Sequence, residues 1–241
     1  MRSEEKARIG RDLDYVAERF YNTPRSYGKF DAQKLAEHFI DAPINQGHVE
    51  RFLQDCDKYS KVDLYKANRA DVENMLQDIF KKIDDLFFFG LLTRQVLDTT
   101  TNTKVPLVSL TVGIYPADKT RGQYSKDPRA LIQIFALDAK GRPNRPFWSM
   151  LHALAHECCH AYQDIFTNRE THYDEAFLRN EAHGEWFWEM LHFIYLTLSQ
   201  RTNEQGIRRY LETICDEAKG HGCYRLPEYL NFDTLLTSSN S

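Results

Sequence analysis

The sequence lacks an apolar run long enough to cross a bilayer. Its most apolar stretch, from Phe187 to Leu198, is interrupted by Glu189 and His192, and a membrane span needs about 20 predominantly apolar residues. The first residues are charged with no apolar segment behind them, which is not the pattern of a secretory signal. These absences predict that the protein has no membrane partner and is intracellular, in the cytoplasm or nucleus.

Cysteine and net charge are also limited. The five cysteines are odd in number and irregularly spaced, so we expect reduced thiols and no disulfide framework. A net charge of −4 gives no general attraction for nucleic acid or anionic lipid. The 241 residues, 42% of them hydrophobic and 27% charged, suffice for one globular domain with a core, or for a domain plus an extension.

One stretch, His156-Glu157-Cys158-Cys159-His160, reads H-E-x-x-H. Histidines four residues apart lie on one face of a helix, so both imidazoles can reach one metal ion. The adjacent glutamate can then act on a water molecule at that metal. Pro143 and Pro146 come just before the helix, and proline is tolerated in a first turn. The motif predicts a zinc site with Glu157 as general base, although a chance match on a core helix is the alternative.

A hydrolytic zinc site usually takes a third protein ligand. Gln163 and Phe166 stand where a metzincin continues its motif, so that class is excluded. Glu181 and His183 are the remaining choices, and on one helix they point to nearly opposite sides. His183 shares the apolar stripe of Phe187, whereas Glu181 lies on the polar stripe. His183 is therefore favoured, and Glu181 would make the protein a gluzincin-type peptidase.

Two further stretches carry a family resemblance. The segment from His183 to Phe187 resembles the H-G-x-x-F element that follows H-E-x-x-H in SprT-like zinc metalloproteases. The segment from Leu86 to Leu92 is similar to the F-F-G-x-L that ends the first core helix of that family. The resemblance covers approximately residues 70 to 200.

The resemblance implies a zinc-dependent endopeptidase with a zincin-like α+β core. It assigns His156, His160 and His183 as zinc ligands and Glu157 as general base. The best-known members cut proteins that are crosslinked to DNA. This chain has no C-x-x-C pairs after the core and no basic tail, and its interval from His160 to His183 is longer, which adds a loop around His172 and Tyr173. A protein or peptide substrate is thus expected, and a role on DNA has less support.

The chain divides into a helical extension over residues 1–65 and a metalloprotease domain over residues 66–236. In the extension, apolar residues recur at helical spacing near Leu13, and Asp31 is the expected cap of a short helix. A third helix is predicted around Phe52. In the domain, Asp71 is the expected cap of the first core helix.

Residues 94–139 have the composition of strands. Three are predicted, over 94–99, 106–115 and 130–137, with a polar loop over 118–127. Strands between helices without a βαβ rhythm indicate an α+β domain with a small antiparallel or mixed sheet. By analogy with related proteases, strand 130–137 either lines the cleft as an edge and binds a peptide, or is an ordinary core strand.

Several other residues have polar or metal-binding side chains and are candidates for a role at the site. His152 is either a partner of the site or a core histidine, and the second is the more common case. Hydrolysis of a peptide bond passes through an intermediate with a negatively charged oxygen, the oxyanion. Tyr162, His172 and Tyr173 are candidates to donate a hydrogen bond to it. A second metal site at Cys215, His221 and Cys223 is conceivable from residue type, but the spacing is irregular. A non-catalytic, zinc-stabilised binding module is the third class of function, and the intact Glu157 argues against it.

Overall fold

A computed structural model describes residues 3–21, 30–116, 120–126, 129–168 and 183–223. Within these ranges the chain forms seven helices and five strands. The helices are α1 (Ser3–Arg19), α2 (Ala32–Ile40), α3 (Gln46–Ser60), α4 (Arg69–Phe87), α5 (Phe147–Phe166), α6 (Glu185–Ser199) and α7 (Gln205–Gly220). The strands are β1 (Gln95–Asp98), β2 (Thr103–Pro106), β3 (Ser109–Ile114), β4 (Gly122–Ser125) and β5 (Leu131–Leu137). The predicted α+β class is confirmed. No described helix combines the length and the apolar character needed to cross a membrane.

The strands form two small sheets. Strands β1 and β2 make an antiparallel hairpin, and the second sheet has the order β3-β5-β4, with β3 parallel and β4 antiparallel to β5. The strand predicted over 106–115 is present as β3 (Ser109–Ile114), but it begins three residues later than predicted. The N–H groups of Leu107 and Val108 donate to the carbonyls of Arg94 and Leu92. The N–H of the next residue, Ser109, donates instead to the carbonyl of Ala130. That change of partner separates β3 from β2, which ends at Pro106.

Strand β4 lies inside the segment that was predicted to be a polar loop. Its sequence, Gly-Gln-Tyr-Ser, has no apolar alternation, so pairing with β5 and contact with α5 keep it extended. The order of the sheet also decides between the two interpretations of the strand predicted over 130–137, in favour of an ordinary core strand. Strand β5 is central and paired on both sides, so it offers no free edge, and β4 is the edge strand next to α5.

Helix α4 begins earlier than predicted. Asn68 caps it by accepting from the N–H of Asp71, and the Asp71 carboxylate accepts from the N–H of Asn68. This reciprocal pair is a capping box, so Asp71 stands in the first turn and is not the cap. At the other end Phe89 and Gly90 both have positive φ, which reverses the chain after the helix.

The helices of residues 3–60 pack on the rest of the chain. Asp31 caps α2 through the N–H of Lys34, as predicted. Leu35 and Phe39 of α2 and Phe52 of α3 are buried in the same apolar cluster as the side chains of α5 and α6. The boundary at residue 65 stays a prediction.

Candidate metal centre

Helix α5 is the structural base of the site. Its 20 residues begin after Pro146, and most of its side chains are buried against β4, β5, α4 and α6. An apolar surface on nearly all sides is expected of a helix in the middle of a domain. Cys158 and Cys159 are free thiols with no exposed surface. Both side chains belong to the apolar core.

The structure brings His156, His160 and His183 together. The Nε2 atom of His160 lies 3.1 Å from that of His156 and 3.0 Å from that of His183, and the third distance is 3.0 Å. Among the described residues these three are the one group of His, Cys, Asp or Glu whose ligand atoms converge in this way.

The triangle fits a metal ion better than it fits hydrogen bonding. A neutral imidazole Nε2 has either one proton or one lone pair, so it cannot donate to one neighbour and accept from another. With three mutual contacts, at least one pair of Nε2 atoms must therefore be two donors or two acceptors, which cannot form a hydrogen bond. Three lone pairs aimed at one point satisfy all three rings, and nitrogen ligands of tetrahedral zinc stand about 3.3 Å apart.

The electrostatics keep the rings in the form that binds metal. Burial lowers the pKa of His156 well below its usual value, and its histidine neighbours lower it further. Burial and the neighbouring His183 lower the pKa of His160 to about 3. Metal ligation requires neutral imidazole, so these two rings are ready to bind at neutral pH.

His183 reaches the site from outside a helix. Gly184 is the N-cap of α6, so His183 precedes the helix on which it was predicted to lie. The ring of Phe187, one turn into α6, stacks on His160 with centroids 4.4 Å apart and also contacts His156 and His183. This apolar wall fixes the three imidazoles. Glu181, the alternative ligand, lies outside the described residues.

Glu157 is buried beside the histidines. Burial raises the pKa of its carboxyl group to about 7, and a hydrogen bond from the backbone N–H of Tyr124 opposes that rise. A Cβ at Gly122 would lie 2.9 Å from Glu157 Cγ and 3.0 Å from Oε1. Only glycine therefore lets β4 approach the carboxylate this closely without displacing it.

Strand β4 is tied to α5 at a second point. The hydroxyl of Tyr124 donates to Asp164 Oδ2 at 3.1 Å, and Lys126 Nζ lies 3.7 Å from the same oxygen. Asp164 is one turn beyond His160, on the same face of α5. The sequence reasoning missed Gly122, Tyr124 and Asp164. The spacing of four residues after His160 was the one signal that pointed to Asp164.

His152 agrees with the interpretation as a core histidine. Its Nδ1 lies 3.3 Å from the hydroxyl of Tyr195, and its ring stacks on Tyr210 with centroids 4.2 Å apart. Burial, together with the charge of Arg121, lowers its pKa to about 4. It is absent from the convergent group formed by the described ligand atoms.

Tyr162 is not a donor to the site. It follows His160 by two residues, which turns it to the opposite side of α5, and its ring lies among Phe39, Phe88 and Phe166 with no exposed surface. His172 and Tyr173, the other candidate donors, lie outside the described residues.

The second metal site that the residue types allowed is not formed. Cys215, His221 and Cys223 do not converge in the way that the three ligand histidines do, as judged over the described residues. The ring of His221 instead contacts Trp188 and His183, with centroids 5.6 Å and 5.7 Å away.

Comparison with known proteins gives no relative: no family model matches the chain, and searches of curated proteins and of solved structures return no significant match. The function must therefore be argued from the site.

Proposed function

We propose that the chain is a zinc-dependent endopeptidase with a zincin-like core, similar to SprT-like metalloproteases. In this proposal His156, His160 and His183 bind zinc and Glu157 is the general base. The observation that carries it is the convergence of three Nε2 atoms, 3.0–3.1 Å apart, next to a buried glutamate. A purely structural site has no need of a base beside its first ligand.

When bound, zinc supplies a Lewis acid for the scissile carbonyl and lowers the pKa of a water molecule to about 7. The carboxylate of Glu157, adjacent in sequence to the ligand His156, would accept that proton as general base. It can then return the proton to the leaving amine. The N–H of Tyr124 holds the carboxylate in place during both transfers.

The edge of β4 supports a peptide substrate. The carbonyl of Arg121 accepts from Phe135 of β5, and the register pairs Gln123 with Gln133. Because such bonds alternate along an antiparallel pair, the backbone groups of Gly122 and Tyr124 face away from β5. The N–H of Tyr124 donates to Glu157, so the groups left for an extended substrate chain passing Glu157 are the N–H and carbonyl of Gly122 and the carbonyl of Tyr124. The proposed substrate strand is thus 122–125, not 130–137.

Two further functions are compatible with the same three histidines. Substrates bound to DNA belong to the proposal through the family resemblance alone, because a net charge of −4 does not favour nucleic acid. A zinc-stabilised binding module would use the same three histidines without hydrolysis.

The deciding experiment measures zinc content and cleavage of an unstructured protein, with and without single-stranded DNA. We expect one zinc per wild-type chain, and loss of both zinc and cleavage in His183→Ala. His48→Ala, an exposed histidine of α3, is the matched control and should retain both. Zinc that survives His183→Ala would contradict the ligand set and favour Glu181. Zinc without cleavage would leave the binding module, and stimulation by DNA would support DNA-bound substrates.

A further inference from the structure

Two arginines near the site, like several on the surface, form no ion pair with a carboxylate among the described residues. Arg69, Arg94, Arg129 and Arg142 each form an ion pair with a carboxylate. Within the described residues, neither Arg121 nor Arg145 does so. An unpaired arginine on a surface is ordinary when it stands alone, so the position of these two decides whether they have a purpose.

The backbone brings the two arginines near one another, within electrostatic range. Arg145 lies over the ring of Tyr115 at 3.9 Å, and its Nε is buried without a hydrogen-bond partner among the described residues. Burial lowers the pKa of Arg145, and the nearby charge of Arg121 lowers it as well. The backbone explains the proximity, since the carbonyl of Arg121 accepts from Phe135 and the next residue of β5, Ala136, accepts from Asn144.

The backbone of Arg121 adjoins the reacting groups. Arg121 directly precedes Gly122, whose backbone is in contact range of Glu157. Its charge also reaches His152, one turn before His156 on α5. No side chain caps the start of α5 at Pro146, so the helix dipole adds positive potential at the same end of the helix.

The direction of β4 determines which residues of a bound peptide lie near Arg121 and Arg145. A peptide that pairs antiparallel with β4 runs from Ser125 towards Arg121. Glu157 is level with Gly122 and Tyr124, so the residues that follow the scissile bond pass Arg121. Strand residues advance by about 3.4 Å each, which places the first two of them beside the guanidinium groups.

We propose that Arg121 and Arg145 form an anionic subsite that selects an aspartate or glutamate at the first or second position after the scissile bond. The inference rests on the proposed function, whose substrate strand it uses. Two arginines in a chain of net charge −4 match one carboxylate better than a nucleic-acid backbone, which needs an extended basic surface.

The test separates binding from hydrolysis. Fluorescently labelled peptides that differ only by Glu or Gln at those two positions are titrated onto the Glu157→Gln protein. We expect the Glu peptide to bind about tenfold more tightly, as a charge-assisted contact allows. Adding Arg121→Gln and Arg145→Gln should abolish the preference and leave the affinity for the Gln peptide unchanged. Arg209→Gln, an exposed arginine of α7, is the control that should keep it.

Equal binding of the two peptides to the parent protein would overturn the proposal. A second contrary outcome is that the double variant loses binding of an oligonucleotide but keeps the preference for the Glu peptide. That result would assign the two arginines to nucleic acid. The single variant Arg121→Gln, at an exposed position, should lose most of the preference even if the double variant folds poorly. Binding needs no turnover, so the two proposals can fail separately. If the Glu157→Gln protein prefers the Glu peptide but the wild-type protein hydrolyses no substrate, the proposed function is contradicted and the subsite is retained.

Discussion

Asp84 and Glu157 are both buried carboxylates, and the chain treats them in opposite ways. At the end of α4, Asp84 accepts from the N–H of Leu92, the N–H of Thr93 and the Thr93 hydroxyl, at 2.7–3.0 Å. Glu157 has one such bond among the described residues, from Tyr124. Burial raises the pKa of both, to about 6 for Asp84 and about 7 for Glu157. The hydrogen bonds of Asp84 hold a chain reversal together, whereas Glu157 keeps acceptor capacity for a reactant.

The largest expected effect follows from replacing Glu157. Glu157→Gln keeps the shape and removes the base, so hydrolysis should fall by about 10²–10⁴-fold. Zinc content should stay at the wild-type level, since Glu157 is not a ligand in the proposal, and the melting temperature should not fall. Glu212→Gln, on the exposed face of α7, is the control. Retained hydrolysis would contradict the assigned base.

The next effect comes from moving Glu157 without changing it. Gly122→Ala places a methyl group 2.9 Å from Glu157 Cγ, so the carboxylate must shift. Misplacing a catalytic group by about 1 Å can cost about 100-fold, and we expect kcat to fall by that order while zinc content is unchanged. Gly220→Ala, where a Cβ meets nothing within 4 Å, should have normal kcat. A normal kcat in Gly122→Ala would show that β4 does not position the base.

Asp84 should show the opposite behaviour. Asp84→Ala leaves the buried N–H of Leu92 and the N–H of Thr93 without their acceptor, which should lower the free energy of unfolding by about 2 kcal/mol. The folded fraction should keep its zinc and its hydrolytic activity. Denaturant unfolding measures the loss, with the exposed neighbour Asp85→Ala as control. A loss of activity in fully folded Asp84→Ala would remove the contrast between the two carboxylates.

The smallest effect is the pH dependence of stability that Asp84 introduces. Its folded pKa of about 6 exceeds the ordinary value of 3.8, so between these values the folded state binds more protons than the unfolded state. The unfolding free energy should therefore decrease as pH rises through this window. Relative to Asp84→Asn, which does not titrate, wild type should lose about 1 kcal/mol between pH 5 and pH 7. A gain over that range would reverse the assigned direction of the shift.

The sequence indicated the parts of the site that depend on spacing within one helix. His156, Glu157 and His160 needed only the period of α5 to be placed correctly. His183 was chosen for its position on an apolar stripe, but it lies before α6 and reaches the other two because Gly184 starts that helix. Its position depends on tertiary packing, for which periodicity was only an indirect sign.

The part that the sequence did not indicate is the edge of the cleft. Strand β4 has no hydrophobic pattern, since its contacts are a glycine against Glu157 and a tyrosine hydroxyl on Asp164. Such contacts are specified by partners distant in sequence, up to 40 residues away for Tyr124 and Asp164. The conspicuous apolar strand, β5, was for the same reason the one considered as a substrate strand, with a core strand as the alternative, and it is central.

The separation of His160 and His183 by 23 residues has a thermodynamic consequence. A metal ion held by both acts as a cross-link that closes the intervening chain into a loop, and the entropic cost of closure grows only slowly with loop length. The length of that segment can therefore vary between relatives at little cost in affinity. Metal binding and the docking of α6 on α5 are linked equilibria. Chelation should loosen α6, and substitutions that weaken its packing should lower the affinity for metal even where they touch no ligand.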